Sequence, residues 1–465
     1  MDIVSAKIVQ QKKTDKITCK QKQFNDKKNT IIQNIIFACF FSLLFSGCPK
    51  DDVPCTTCPQ PTNPLAVSIF DVSSTEVFLK ISLSSSELNR IVSLKRNDST
   101  IITISLTGSD SVIIDDSLRP RTLYTYELVS GDWNAKIQET TKDTTQHDFA
   151  WETYNLGDLG VSASILNDAV IINDTLIYIV GEIYIKDATP IGEKMYNAAV
   201  VKGKNISLQE VPYRMVGQSY VNPISAICAT SKSDIWFGGN GLVHWDGNDF
   251  IPQEAFVSLW GPNKINKMWC SVNGVYVVGE NGSLAFNSNT LLQKLQSGTT
   301  DQIFDVYGVI NPKDQTEKIY CAVLGYPNPP SHAKILKITN KTKVDSIQWG
   351  IPRDVFSVWS VKGFPLFVAA ARGGIYDNTL GQWRGTSFSE TIVIQNVRGN
   401  SLNDIFVNGS GNGAFVAHYN GITWHQYTEL AGSADWYSSI AVNNHTVVLV
   451  GFKAERAVVS IGRRK

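Results

Sequence analysis

Apolar residues along this chain recur mainly with a period of two, in short runs broken by Gly, Asn, Asp and Ser, as half-buried strands and tight turns require. From Val77 to Leu83, the residues Val77, Leu79, Ile81 and Leu83 fall on one face, and Phe78, Lys80 and Ser82 on the other. Runs at Ile91 to Lys95, Ile101 to Leu106 and Ser111 to Asp115 follow closely, so residues 63–143 are predicted to form a two-sheet β-sandwich.

Beyond residue 144 the pattern becomes repetitive. Seven apolar segments align on their fifth position: Ile177 to Gly181, Ile235 to Gly239, Val275 to Gly279, Ile319 to Val323, Leu366 to Ala370, Ile405 to Gly409 and Val447 to Gly451. Their spacings of 58, 40, 44, 47, 39 and 42 residues predict a β-propeller of four-stranded blades over 144–465. This count gives seven blades. Six or eight are the alternatives, because the first interval contains an insertion from Ile185 to Tyr196. The whole chain is thus expected to be all-β.

The sharpest copy runs from Asp234 to Gly247. Its Trp245-Asp246-Gly247 matches Tyr419-Asn420-Gly421 in a later copy, and Asp-Gly or Asn-Gly tolerates the positive φ of a tight hairpin. Gly247 and Gly421 are therefore expected in that conformation, with Trp245 and Tyr419 packing between blades. His244 and His418, one residue earlier, read as structural polar spacers, and Asp234 and Asp404 as turn formers. The last copy stops one strand short, whereas Phe149 to Tyr154 is a strand without a blade. Joining the two would close the ring and remove an open edge.

Plentiful Gly (34) and aromatic residues with only 4 Met agree with strands and turns. The 42 basic and 42 acidic residues balance, but residues 1–47 hold 8 Lys against 3 Asp. The remainder is net acidic, which argues against nucleic-acid binding.

Residues 1–47 read as a signal peptide: a lysine-rich start, then an apolar run from Ile35 to Phe45 that is too short to span a bilayer. Phe45-Ser46-Gly47-Cys48 resembles the lipobox of bacterial lipoproteins. That resemblance implies acylation of Cys48, which becomes the first mature residue and attaches the protein to the membrane. Cys48-Pro49-Lys50-Asp51-Asp52 resembles the signal that carries Bacteroidetes lipoproteins to the outer face of the outer membrane, with the periplasmic face as the alternative. Residues 48–62 form a proline-rich tether. Its Cys55 and Cys58 lack a second Cys/His pair for zinc and read as a local disulfide or two thiols, whereas Cys228, Cys270 and Cys321 sit in apolar strands.

Leu118-Arg119-Pro120-Arg121-Thr122-Leu123-Tyr124-Thr125-Tyr126 resembles a segment of fibronectin type III domains. The resemblance implies that Tyr124 bonds back to the preceding loop as a tyrosine corner. The Asp234 to Gly247 copy resembles the blades of two-component-regulator-type propellers of bacterial sensors and surface proteins, a likeness that speaks to fold rather than activity.

No nucleophile elbow, zinc-protease motif, phosphate loop or dinucleotide fingerprint is present, and no cofactor or metal is expected. Ligand contacts are expected from loops that enter the innermost strands, where Trp260, Lys264, Arg353, Trp359, Arg372 and Trp436 lie. The leading reading is a non-catalytic binder of a glycan or protein. A glycan-active hydrolase or lyase, and an envelope scaffold, are the alternatives.

Overall fold

The computed structural model describes residues 7–9, 63–84, 89–188, 190, 192–212, 221–288, 291–311, 315–325, 333–379 and 382–465. The expected signal peptide apart from residues 7–9, the tether, the lipidation site Cys48, and Cys55 and Cys58 lie outside them.

Two four-stranded antiparallel sheets form the N-terminal unit. One holds Leu65–Val72, Val77–Leu83 and Asp110–Asp115, with Lys7–Val9 pairing along its edge. The other orders Ser99–Ser105, Ile91–Arg96, Leu123–Ser130 and Trp133–Thr140. Val77, Leu79, Ile81 and Leu83 enter one core with Val92, Leu94, Tyr126 and Leu128 from the second sheet, as the alternation requires. The expected corner bond is present: the Arg119 N–H donates to Tyr124 Oη at 3.0 Å. Phe78, on the face shared with Lys80 and Ser82, is fully buried, because a second structure covers it: Phe78 and Ile114 pack against Phe364 and Leu402.

Among the described residues, that second structure comprises seven four-stranded antiparallel sheets arranged as a ring. Their first strands are Ile165–Asn173, Ala226–Ser231, Ile265–Ser271, Ile303–Ile310, Val355–Trp359, Val393–Ser401 and Trp436–Val442. These touch one another in sequence order and the first touches the seventh. The seventh sheet is completed by Phe149–Leu156, which pairs along Arg456–Arg464, so the two ends of the ring share one ladder. The insertion after Gly181 lengthens the hairpin between the second and third strands of the first sheet, out to the Lys186 and Glu193 pair.

The glycine that ends the aligned segments has a steric cause. In the first, third, sixth and seventh sheets a Cβ at Gly181, Gly279, Gly409 or Gly451 would meet the carbonyl oxygen of Ile165, Lys264, Val393 or Trp436 at 2.1–2.2 Å. The first strand bulges at this point, with the register slipping between Leu166 and Asp168, Ile265 and Lys267, Ile394 and Asn396, and Tyr437 and Ser439. Only a residue without a side chain tolerates that approach. Gly247 and Gly421 take φ of 102° and 100°, and Trp245 and Tyr419 pack against the apolar layers between adjacent sheets.

Candidate functional site

The bulges turn polar side chains toward the axis of the ring. Lys267 Nζ pairs with Asp168 Oδ1 at 2.6 Å and donates to Ser439 Oγ at 2.9 Å, while Asp168 Oδ2 accepts the Ile227 N–H at 3.0 Å. Across from them, Arg398 grips both oxygens of Asp305 at 2.7 and 3.0 Å, and Ser357 Oγ donates to Asp305 at 2.5 Å. Each of the seven sheets thus supplies one partner. Asp168 and Asp305 are each 2% exposed. Burial opposes ionisation of Asp305, but Arg398 and Lys267 hold its carboxyl below the ordinary range. Two buried carboxylates, each paired with a cation from another sheet, tie the sheets together here.

The six rim residues expected to bind a ligand separate on inspection. Trp260 and Trp359, each 1% exposed, lie in the core layers rather than on the rim where the sequence expectation put them. Arg353 spends its guanidinium on the carbonyls of Ala371 and Arg372 and on Glu390. Trp436 stacks on Phe452 at 4.7 Å, whereas Lys264 and Arg372 are exposed. These four do not converge on a described cavity.

The two histidines do more than space a strand. His244 Nε2 bonds Asp234 Oδ1 at 2.7 Å and stacks on Trp236, and His418 Nε2 bonds Asp404 Oδ1 at 2.8 Å and stacks on Phe406. A carboxylate only accepts, so Nε2 of His418 carries its proton and Nδ1 is the acceptor. His147, in the segment joining the two units, donates to that Nδ1 from its own Nδ1 at 2.9 Å.

The cavity with the chemistry of a binding site lies elsewhere, where the N-terminal unit meets the fifth and sixth sheets. It measures about 420 Å³, within the range of ligand pockets. Glu76, Asp116 and Ser117 come from the turns of the N-terminal unit; Asp377, Arg384, Phe367, Tyr419 and Trp424 come from the ring. Arg384 donates through Nη2 to Glu76 Oε1 at 2.7 Å and through Nε to both oxygens of Asp377 at 2.8 and 3.0 Å. Burial pushes the Glu76 carboxyl up against the pull of Arg384, and Asp377 and Asp116 add to the rise. Tyr419 is pushed up to about 12 by burial, with Glu76 contributing. The sequence carried little signal for this cleft: Glu76 and Arg384 are 308 residues apart, and the one local cue was Phe78, a large apolar residue on the polar face of its strand. Among the described residues, no group of three or more His, Cys, Asp or Glu could hold a metal ion, and no helix is long and apolar enough to cross a membrane.

No protein-family model and no curated protein matches this sequence. Solved structures match by shape. The chain is similar to the propeller described as YCF48 bound to D1 peptide, with a TM-score of 0.51 and 11% identity over 69% of this chain and 97% of that one. The WD40 propeller domain of Doa1 matches with a TM-score of 0.47 and 13% identity over 68% and 98%. PorZ, a surface component of the type-IX secretion system of Porphyromonas gingivalis, matches with a TM-score of 0.47 and 9% identity over 85% of this chain and 56% of that one. At these identities the likeness is one of fold, a β-propeller.

Proposed function

We propose that this chain is a surface-exposed outer-membrane lipoprotein, acylated at Cys48 after loss of residues 1–47, in which a fibronectin type III-like unit (63–143) and a seven-bladed propeller (144–465) bind a glycan or protein partner without catalysis. The observation that carries the non-catalytic part is the axis. Asp168 and Asp305 are each matched to a cation fixed by a different sheet, Lys267 and Arg398. A glycosidase needs two carboxylates about 5–10 Å apart with one able to give up or take a proton, and this pairing withdraws both. Binding or scaffolding is the use that a ring of strands presenting loops on two rims serves best. The compartment rests on the lipobox-like Phe45 to Cys48 and the Lys50-Asp51-Asp52 that follows.

Two measurements on cells test this reading. Cys48→Ala is expected to abolish labelling by radioactive palmitate, and labelling that persists overturns the lipid anchor. Protease added to intact cells is expected to remove the protein; survival on intact cells with loss in lysates places it on the periplasmic face instead.

A further inference from the structure

We infer that the cleft between the N-terminal unit and the fifth and sixth sheets receives a lysine or arginine side chain presented by a protein partner. The inference rests on the binding reading above and names the ligand chemistry of one site.

Charge decides the class. Glu76, Asp116 and Asp377 face a single cation, Arg384, and that guanidinium is already committed to Glu76 and Asp377. Asp116 bonds only the neighbouring Ser117 hydroxyl, at 3.2 Å, and no cation pairs with it among the described residues. Glu76 and Asp377 are 16% and 18% exposed, so water compensates the excess negative charge only in part. A neutral sugar would leave that excess in place, and an acidic sugar would add to it. A cation at the end of an apolar stem satisfies both halves of the cleft. The stem lies along Phe367, Tyr419 and Trp424 while the charge reaches Asp116, and the aromatic faces attract the cation as well.

Isothermal titration of the full-length chain with acetyl-glycyl-arginyl-glycinamide tests this, beside the same tripeptide carrying citrulline, which keeps the shape and loses the charge. The arginyl peptide is expected to bind at least tenfold more tightly than the citrullyl one. Asp116→Asn is expected to weaken arginyl binding at least tenfold with the melting temperature unchanged. Equal affinity for the two peptides, no arginyl binding, or an unaffected Asp116→Asn chain each overturn the inference. A glycan array probed in parallel separates the two levels: glycan binding that Asp116→Asn abolishes overturns the cleft's ligand class and leaves the broader binding reading standing.

Discussion

At the scale of single residues, the axis of the ring holds two buried ion pairs, Lys267 with Asp168 and Arg398 with Asp305. A buried ion pair is weak evidence of net stabilisation, because desolvating two charges offsets most of their attraction. Removing one partner is different, since the other is left charged and unmatched. Arg398→Met strands Asp305 among Ser357, Val358 and Lys267, and is expected to lower unfolding free energy by about 3–5 kcal/mol in urea titrations. Asp305→Leu combined with Arg398→Met removes both charges and is expected to cost less than the single change. A double variant less stable than the single would mean that the axis depends on the pair for more than charge balance. The turn histidines show the same logic on the flank, where Asp234 and Asp404 serve as acceptors for a neighbouring strand as well as turn formers.

At the scale of elements, the seventh sheet depends on a strand from the opposite end of its ring. Phe149–Leu156 pairs with Arg456–Arg464 along its whole length, from Arg464 and Phe149 to Ala457 and Leu156. A chain in which Thr153 and Tyr154 are replaced by proline loses ladder donors there and exposes Arg456–Arg464 as an edge. Size-exclusion chromatography is expected to show self-association of this variant, and a monodisperse monomer with an unchanged melt would refute a closing role for the strand. The strand was legible in the sequence, because an apolar run without a repeat of its own complemented a repeat missing a strand. Four of the second strands were legible for a related reason: Gly181, Gly279, Gly409 and Gly451 record a steric conflict at the bulge they face, whereas Val323 and Ala370 take the same place opposite the bulges of the fourth and fifth sheets. The cleft was not, since its carboxylates sit in turns whose local sequence is explained by turn formation alone. Nor were the burials of Trp260 and Trp359, which end a helix, Glu254–Trp260, and a strand, Val355–Trp359, rather than lying in loops, and which depend on how neighbouring sheets stack.

At the scale of the whole molecule, the two units are held by an apolar contact, a few polar bonds and the segment between them. Phe78 and Ile114 meet Phe364 and Leu402, and Lys362 reaches Asp71 at 3.2 Å. The joining segment is pinned where Thr145 donates to the Asn403 carbonyl and His147 donates to His418. Burial, with His418, His425 and Arg464 nearby, lowers His147 to about 4, and burial lowers His418 despite the carboxylate of Asp404. An imidazole titrates near 6.5 in the unfolded chain, so below that pH the unfolded state binds protons that the folded state refuses. The contribution of this joint is therefore present above about pH 6.5 and is lost as the pH falls toward 4. Protonated His147 also faces Arg464 and a His418 whose only acceptor nitrogen it can no longer share once both are charged. Limited proteolysis is expected to cut near residues 141–148 faster at pH 4.5 than at pH 7.5, using a protease whose own activity is matched at the two values. His147→Gln, which has no charge to acquire, is expected to flatten that dependence. Equal pH dependence in the two chains would locate the acid sensitivity elsewhere, in the carboxylates of the cleft or of the axis.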